Sequence, residues 1–255
     1  MKLVKGFILG ALCTVPFVGF AQDAADATAE EPAVKWEKNL SAGLTYRDGN
    51  TEKSLYTLNV KGNRFGPHND FLNSLYAEYG KSGTPTTPEE QTEGQVRGQS
   101  EYRHKFGQSE FFAGVFAEGL HDVIKQIRFR GKVGPNIGYY LIDKENMKLD
   151  VSIGINYVYE RTAADERTFG EYRAACNYLW DISEHSSYYL NVEYTANMDN
   201  VDTDNNGLLV TGVRSKLHES FAIFIEFRDE YDNRPDAGVV EHNDITVTGG
   251  LSYDF

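Results

Sequence analysis

Residues 245–255 alternate between two kinds of side chain without interruption. The odd positions carry Ile, Val, Gly, Leu, Tyr and Phe, whereas the even positions carry Thr, Gly, Ser and Asp. Because successive side chains of a β-strand point to opposite faces, this pattern predicts a strand with one apolar side and one polar side.

Similar alternation recurs along most of the chain, interrupted by short segments of turn-forming residues. The clearest segment, 147–160, sets Met, Leu, Val, Ile and Tyr against mostly polar residues, and no stretch keeps a sustained helical period. The predicted strands are 36–47, 54–65, 71–81, 94–105, 110–119, 126–141, 147–160, 167–180, 187–198, 208–217, 221–231 and 244–255.

Two of these strands carry an irregularity. Pro135 lies inside the sixth, and because proline cannot donate to a β-ladder we expect a bulge or a frayed end there. In the fifth, Phe111 and Phe112 are adjacent, so the pattern leaves open which of them faces the apolar side.

The connections between the predicted strands alternate in length. The longest, 82–93, 199–207 and 232–243, would all lie at one end of an up-and-down barrel. Transmembrane barrels have longer outer loops and short periplasmic turns, so the alternation favours a membrane barrel with both chain ends in the periplasm. The short connections are 66–70, 106–109, 142–146, 181–186 and 218–220.

The distribution of charge supports the same class. With the apolar faces turned outward, nearly every mid-strand charge falls inside, and the outward aromatic residues gather near strand ends. A soluble lipocalin-like barrel or sandwich would instead place its apolar side chains inside, and gives no reason for the alternation in loop length. The sequence therefore predicts an all-β fold, a transmembrane antiparallel up-and-down β-barrel of about 12 strands.

The two ends of the sequence carry targeting features. Residues 1–21 have a basic start and an apolar run, and are predicted to be a signal peptide. Residues 22–35, rich in Ala, Asp and Glu, are predicted to be a flexible periplasmic leader before a barrel at 36–255. The aromatic Phe255 is interpreted as the assembly signal that the barrel-assembly machinery of outer-membrane barrels reads. The expected location is the outer membrane of a Gram-negative cell.

Composition excludes two classes of protein. The mean hydropathy of -0.49, with no second long apolar stretch, excludes a helical membrane protein. The net charge of -13 argues against nucleic acid as a partner. The expected partners are outer-membrane lipid, lipopolysaccharide and the assembly machinery.

A short motif follows the first predicted strand. The run 44–52, LTYRDGNTE, comes soon after a tryptophan and an N-L-S-A-G run, and its core is Gly49-Asn50-Thr51. It resembles the YdiY-like family of salt-induced outer-membrane proteins, a domain of unknown function whose first strand ends in Gly-Asn-Thr. The resemblance implies a role in salt or stress response and brings no catalytic residues. Asp-Gly-Asn is also an ordinary tight hairpin turn, because Gly and Asn tolerate positive φ.

No catalytic constellation is predicted. The six histidines fall at predicted strand ends or turns, without metal-ligand spacing. Outer-membrane phospholipases place Ser and His together on the lipid-facing side. Here Ser100 and His104 share one face of a strand, but four residues of strand span about 13 Å, too far for a nucleophile–base bond. The sequence leaves open a pair formed across two strands. We expect no enzymatic activity and no cofactor.

Residues 202–207, DTDNNG, match the first half of a calcium-binding loop. The glutamate required at the twelfth position is replaced by Val213, and the flanking segments are strands. Asp202, Asp204 and Asn206 are therefore only a weak metal candidate, and an acidic solvated loop is the favoured interpretation. Divalent ions can bridge such a loop to anionic lipopolysaccharide.

The inward face of the predicted barrel carries many charges. They either line water or pair across a packed lumen, because an unpaired buried charge is too costly. The favoured function is a porin-like narrow passive pore or small-solute channel. The alternative is a structural or salt/stress-response envelope barrel with a blocked lumen, and a lipid-modifying enzyme ranks third. The predicted lumen-lining residues are Arg97, Arg103, Lys105, Arg128, Arg130, Lys132, Glu171, Glu193, Glu226 and Glu230, with Glu101 among the bases.

Overall fold

The structure is a computed structural model. It describes residues 34–47, 52–84, 87–107, 109–234 and 242–255. The predicted signal peptide, nearly all of the predicted leader and the Gly49-Asn50-Thr51 motif lie outside these ranges.

Twelve strands form one closed sheet, in which every strand pairs antiparallel with its sequence neighbours and β1 pairs with β12. The predicted fold class is confirmed. Among the described residues, no helix is long and apolar enough to cross a membrane. The strands are β1 Lys35–Arg47, β2 Glu52–Phe65, β3 Asn69–Thr84, β4 Thr87–Lys105, β5 Phe111–Asp122, β6 Ile127–Lys144, β7 Met147–Thr162, β8 Glu166–Asp181, β9 Ser186–Asn197, β10 Asn205–Lys216, β11 Phe221–Asp232 and β12 Asn243–Asp254.

We call the end that carries Lys35 and Phe255 the lower end, and the opposite end the upper end. The connections 198–204 and 233–242 lie at the upper end, as expected, and are the longest between the strands. The predicted long connection 82–93 is wrong. There, β3 and β4 extend to Thr84 and Thr87 and stay paired through two register shifts, so most of that segment is a hairpin.

The outer face of the barrel is apolar. Ile225, Ile137 and Leu251 are each more than half exposed, although they lie within strands. Aromatic pairs stand at both ends, with Phe221 against Tyr253 below and Phe129 against Tyr159 above. Such a surface is typical of a barrel that turns this face to lipid.

The two irregular strands have definite arrangements. Pro135 causes no bulge: the register on β7 is the same on both sides of it, and only the pairings of Gly134 and Pro135 with β7 are missing. Pro135 faces outward, opposite Val115 of β5. In β5, Phe112 is the inward aromatic and is almost fully buried, whereas Phe111 is exposed outside.

The junction that closes the barrel is short. The β1–β12 ladder runs from the pair Asn39–Asp254 to the pair Leu44–Gly249, while β1 pairs with β2 along its whole length. Above this ladder, the Thr45 hydroxyl donates to the Val247 carbonyl at 3.0 Å.

Candidate functional site: the charged barrel interior

Alternate residues of every strand point into the barrel, and many of them are charged. Most of the predicted lumen residues are there, and most of them pair with oppositely charged side chains from other strands or from their own strand; Glu226 instead accepts a hydrogen bond from Tyr189 and lines a cavity. The predicted residues in the interior are Arg97, Glu101, Arg103, Lys105, Arg130, Lys132, Glu171, Glu193, Glu226 and Glu230.

Arg128 is the exception. It is exposed and lies at a register shift between Ile127 and Phe129, where β6 has one extra residue. Ile127 takes the inward position and is 4% exposed. The prediction that Arg128 lines the lumen is therefore wrong, because a one-residue bulge changes the face of every residue before it.

Arg103 is the centre of a buried group near the lower end. Its guanidinium lies 3.0 Å from Glu101 and 3.1 Å from Asp150 of β7, and 4.5 Å from the ring centre of Phe112. Only 3% of its side chain is exposed. Two acids and a ring therefore replace the water that this cation loses.

Lys105 and Asp70 extend this group toward the lower end. Their side chains lie 2.9 Å apart, and the Tyr140 hydroxyl donates to the other oxygen of Asp70 at 2.9 Å. Asp70 is 2% exposed. Both of its carboxylate oxygens have partners, as is usual for a polar group buried this deeply.

Two further groups of charged side chains, with three ion pairs among them, lie in the middle of the barrel. Lys132 lies 3.0 Å from Glu171 and 3.9 Å from Glu118. Arg173 of β8 lies 2.7 Å from Glu193. These five residues leave little of their charge exposed to water, and they occupy space that would be open in a wide pore.

Near the upper end, Glu160 accepts hydrogen bonds from both Arg130 and Arg167. Arg167 also donates to Asp204 at 2.9 Å, and Asn197 donates to the same carboxylate at 3.1 Å. The chain of contacts thus runs from β6 to the β9–β10 connection.

The same contacts revise the weak metal candidate. Burial of Asp204 would raise its pKa, but the hydrogen bonds from Asn197 and Arg167 and the charges of Arg167 and Arg234 outweigh burial and lower it. A carboxylate held by arginines is already neutralised and is a poor cation ligand. Within the described ranges, no three His, Cys, Asp or Glu residues are placed to hold a metal ion.

Arg228 contacts residues that line two different cavities of the interior. Its guanidinium carbon lies 4.3 Å from the ring centre of Tyr76, and its Nη2 lies 2.6 Å from Glu230. Glu230 also pairs with Lys125 at 3.4 Å and with Arg97 at 3.6 Å. At Lys125, in the β5–β6 connection, burial would lower the pKa, but Glu230 and nearby aspartates outweigh it and raise the pKa.

These two cavities differ greatly in size. The lower cavity has a volume of about 1060 Å³, is lined by Tyr76 among others, and reaches the connection 182–185 at the lower end. The upper cavity has about 60 Å³ and is lined by Glu230 among others. The two cavities share no lining residue, and Arg228 lines neither.

Ser100 and His104 do not meet. Both face outward, where Ser100 donates to Asn73 at 2.9 Å and His104 Nδ1 lies 3.0 Å from Asn69. Each is bonded to a different asparagine of β3, so these contacts do not form a nucleophile–base pair.

Sequence reasoning missed several members of the interior network. Arg173 follows the predicted lumen residue Glu171 by two positions on β8, and Asp150 lies on the polar face of β7. The alternation of inward and outward side chains could therefore have identified both. Glu118 was hidden by the ambiguous face of β5. The contact between Arg228 and Tyr76 joins β11 to β3, which are not adjacent in the sheet, and nothing in the sequence marks it.

Comparison with solved structures finds this fold in outer-membrane porins. The NanC porin superposes with a TM-score of 0.53 at 10% identity, over 86% of this chain and 100% of that chain. The KdgM porin gives 0.47 at 10% identity, over 86% and 99%. An anion-selective porin from Comamonas acidovorans gives 0.40 at 7% identity, over 88% and 99%. At these identities the similarity is one of fold, and only the first score supports it.

A search of curated proteins found no match. Comparison with protein families matches residues 40–255 to one family, a range that covers all of the barrel except the start of β1. The chain therefore belongs to the family described as "Protein of unknown function, DUF481".

Proposed function

We propose that this chain is an outer-membrane β-barrel with a lumen closed by its own ion pairs, and that it has a structural or salt/stress-response role in the cell envelope. The observation that carries the proposal is the position of Arg228, which contacts Tyr76 of the lower cavity and Glu230 of the upper one. This reverses the order of the two functions that the sequence favoured.

Burial of the charges supports a closed lumen. Side chains that line a water-filled pore keep much of their surface hydrated, whereas Arg103, Glu171 and Lys132 are each less than a tenth exposed. Breaking a buried pair by removing one partner typically costs about 3–5 kcal/mol, so rearranging such pairs to admit a solute is expensive.

A narrow pore remains the second candidate, because one observation favours it. The lower cavity has a volume of about 1060 Å³, and the Arg228 guanidinium lies against Tyr76 of its lining, so these two side chains form part of the partition above it. Movement of the Arg228 side chain alone would alter this partition.

Conductance in planar bilayers tests the two candidates. We expect the wild-type barrel to give no stable current steps, and the Tyr76→Ala/Arg228→Ala double variant to give them, because it removes these two side chains from the partition. Arg128→Ala is the matched control, since it removes an exposed arginine, and should remain silent. Regular, ion-selective steps from the wild-type protein would overturn the closed lumen in favour of the narrow pore.

The remaining parts of the proposal concern location and partners. The apolar outer face and the aromatic pairs at both ends support insertion in the outer membrane, with lipid and lipopolysaccharide as neighbours. Assembly by the barrel-assembly machinery, with Phe255 as its signal, and the absence of enzymatic activity belong to the same proposal. Membership of the narrower YdiY-like group is also part of the proposal. An increase in the amount of the protein when cells are grown in high salt would support it, and an unchanged amount would contradict it.

A further inference from the structure

A lysine without a carboxylate partner lies in the lower cavity. Lys61 projects from β2, and its Nζ lies 5.4 Å from the ring centre of Tyr189 on β9. Among the described residues it makes no ion pair, although most interior cations do. A cation in a protein cavity is costly unless something compensates its charge.

Two acids of the same lining make their direct contacts with other residues, although the charge of Glu226 remains in the cavity. Glu226 accepts a hydrogen bond from the Tyr189 hydroxyl at 2.7 Å. Asp254 is held by Arg214 at 2.6 Å. Among the described lysines that line this cavity, Lys35, Lys38 and Lys216 are exposed, whereas Lys61 is only partly exposed and has no carboxylate within ion-pair distance.

The side chains nearest to Lys61 on β1 and β2 are neutral and polar, whereas the charged side chains of the lining lie at the lower rim and on other strands. Asn39 of β1 stands directly opposite Lys61, and Asn59 precedes it by two residues on the same face of β2. The Asn59 side-chain oxygen is buried and makes no hydrogen bond. Amides and hydroxyls suit a ligand that carries several hydroxyl groups, because each can donate and accept. The cavity lining on β1 and β2 includes Asn39, Ser41, Thr57, Asn59, Lys61 and Asn63.

We propose that the lower cavity binds a small monoanionic solute that carries one carboxylate and several hydroxyl groups, with the carboxylate on Lys61. The volume of about 1060 Å³ is ample for a molecule of that size. A dianion fits less well, because the carboxylate of Glu226 lies on the same side of the cavity as Tyr189 and would repel the second charge. The site opens at the lower end, so it does not depend on whether the barrel conducts.

Calorimetric titration of the refolded full-length barrel in detergent tests this site, with gluconate as the probe and sorbitol as its uncharged analogue. We expect saturable binding of gluconate, at least about tenfold weaker binding of sorbitol, and the same loss for gluconate in Lys61→Gln, since tenfold corresponds to about 1.4 kcal/mol, a modest value for one charge-assisted contact. Lys216→Gln removes an exposed lysine at the rim of the same cavity and should retain affinity within about twofold.

Two further measurements sharpen the test. Glu226→Gln should tighten gluconate binding and make inorganic phosphate a better ligand, because it removes the competing negative charge. Heat-modifiable migration of each variant on gels shows that it is folded. The proposal is overturned by equal affinity for gluconate and sorbitol, by folded Lys61→Gln binding like wild type, or by absence of gluconate binding to the wild-type barrel.

Discussion

The guanidinium carbon of Arg173, on β8, lies 3.9 Å from the ring centre of Phe116, on β5. The two strands are not neighbours in the sheet, so this contact joins separate parts of the barrel wall across the interior. Arg173 also pairs with Glu193 of β9. One side chain therefore links three strands, and the interior network acts as a brace as well as a barrier.

Removing this brace should destabilise the barrel. Arg173→Met leaves the Glu193 carboxylate without its partner, and we expect a loss of about 3–5 kcal/mol in the free energy of unfolding. Arg173→Met/Glu193→Gln should lose less, because no charge is left alone. Urea unfolding in lipid vesicles measures both. Equal losses in the single and double variants would show that the ion pair is not what the single variant breaks.

A comparison of two arginines tests the corrected face of β6. Arg130→Gln breaks a buried contact with Glu160, so the free energy of unfolding should fall by about 2–4 kcal/mol. Arg128→Gln changes an exposed residue and should stay within about 0.5 kcal/mol of wild type. If the two variants are equally destabilised, the bulge at the start of β6 is placed wrongly.

The backbones of β6 and β7 come so close at Gly134 that we expect no side chain to fit there. A Cβ atom there would overlap the carbonyl oxygen of Ile155 on β7, whereas a Cβ on Gly62 would meet nothing within 4 Å. We expect Gly134→Ala to cost about 1–3 kcal/mol or more of the free energy of unfolding, and Gly62→Ala to be nearly neutral. Refolding yield and urea midpoint measure the difference. A tolerated Gly134→Ala would mean that β6 and β7 are further apart than described.

Asp204 predicts a pH dependence. Its pKa is lowered in the folded barrel from a usual value of 3.8, so its contribution to stability is present above 3.8 and is lost as the pH falls through the folded pKa. Asp204→Asn should therefore melt below wild type at pH 7, by about 2–4 °C for each kcal/mol lost. The gap should close as the pH falls below 3.8. A gap that is constant with pH would show that charge is not involved.

Surface labelling tests the orientation of the two ends. An epitope inserted in the upper connection 198–204 should be labelled on intact cells, because that connection is long and faces the medium in the proposed topology. The control is the same epitope in the lower connection 182–185, which should be labelled only after the outer membrane is permeabilised. Labelling in the opposite order would invert the topology.

The number and position of the strands could be predicted because a barrel with an apolar outer face and a polar interior imposes alternation on every strand. The alternation of 245–255 continues in β12 as Ile245, Val247 and Leu251 outside with Thr248 and Ser252 inside. A β-bulge, which interrupts this alternation, could not be predicted. The extra residue at Arg128 has no signature in the sequence, and it moved one predicted site residue out of the interior.

The full length of β3 and β4 could not be predicted from the sequence either. The segment 82–93 contains two prolines and several polar residues, which is typical of a loop, yet β3 and β4 pair along most of it. Beyond the apolar band of the outer face, no alternation of apolar and polar residues distinguishes a strand from a loop. Contacts across the interior, such as Arg228 on Tyr76, depend on which strands face each other and how far their side chains reach, and so they require the three-dimensional structure.

The short β1–β12 ladder bears on the order of assembly. Every other pair of neighbouring strands is joined by a connection of ten residues or fewer, but closure brings together Asn39 and Asp254, 215 residues apart. The entropic cost of closing a loop grows with its length, so hairpins form early and this junction forms last. Because it is held by only the pairs between Asn39–Asp254 and Leu44–Gly249, we expect the closed cylinder to open first at this seam, which would make the seam the main determinant of the barrel's kinetic lifetime.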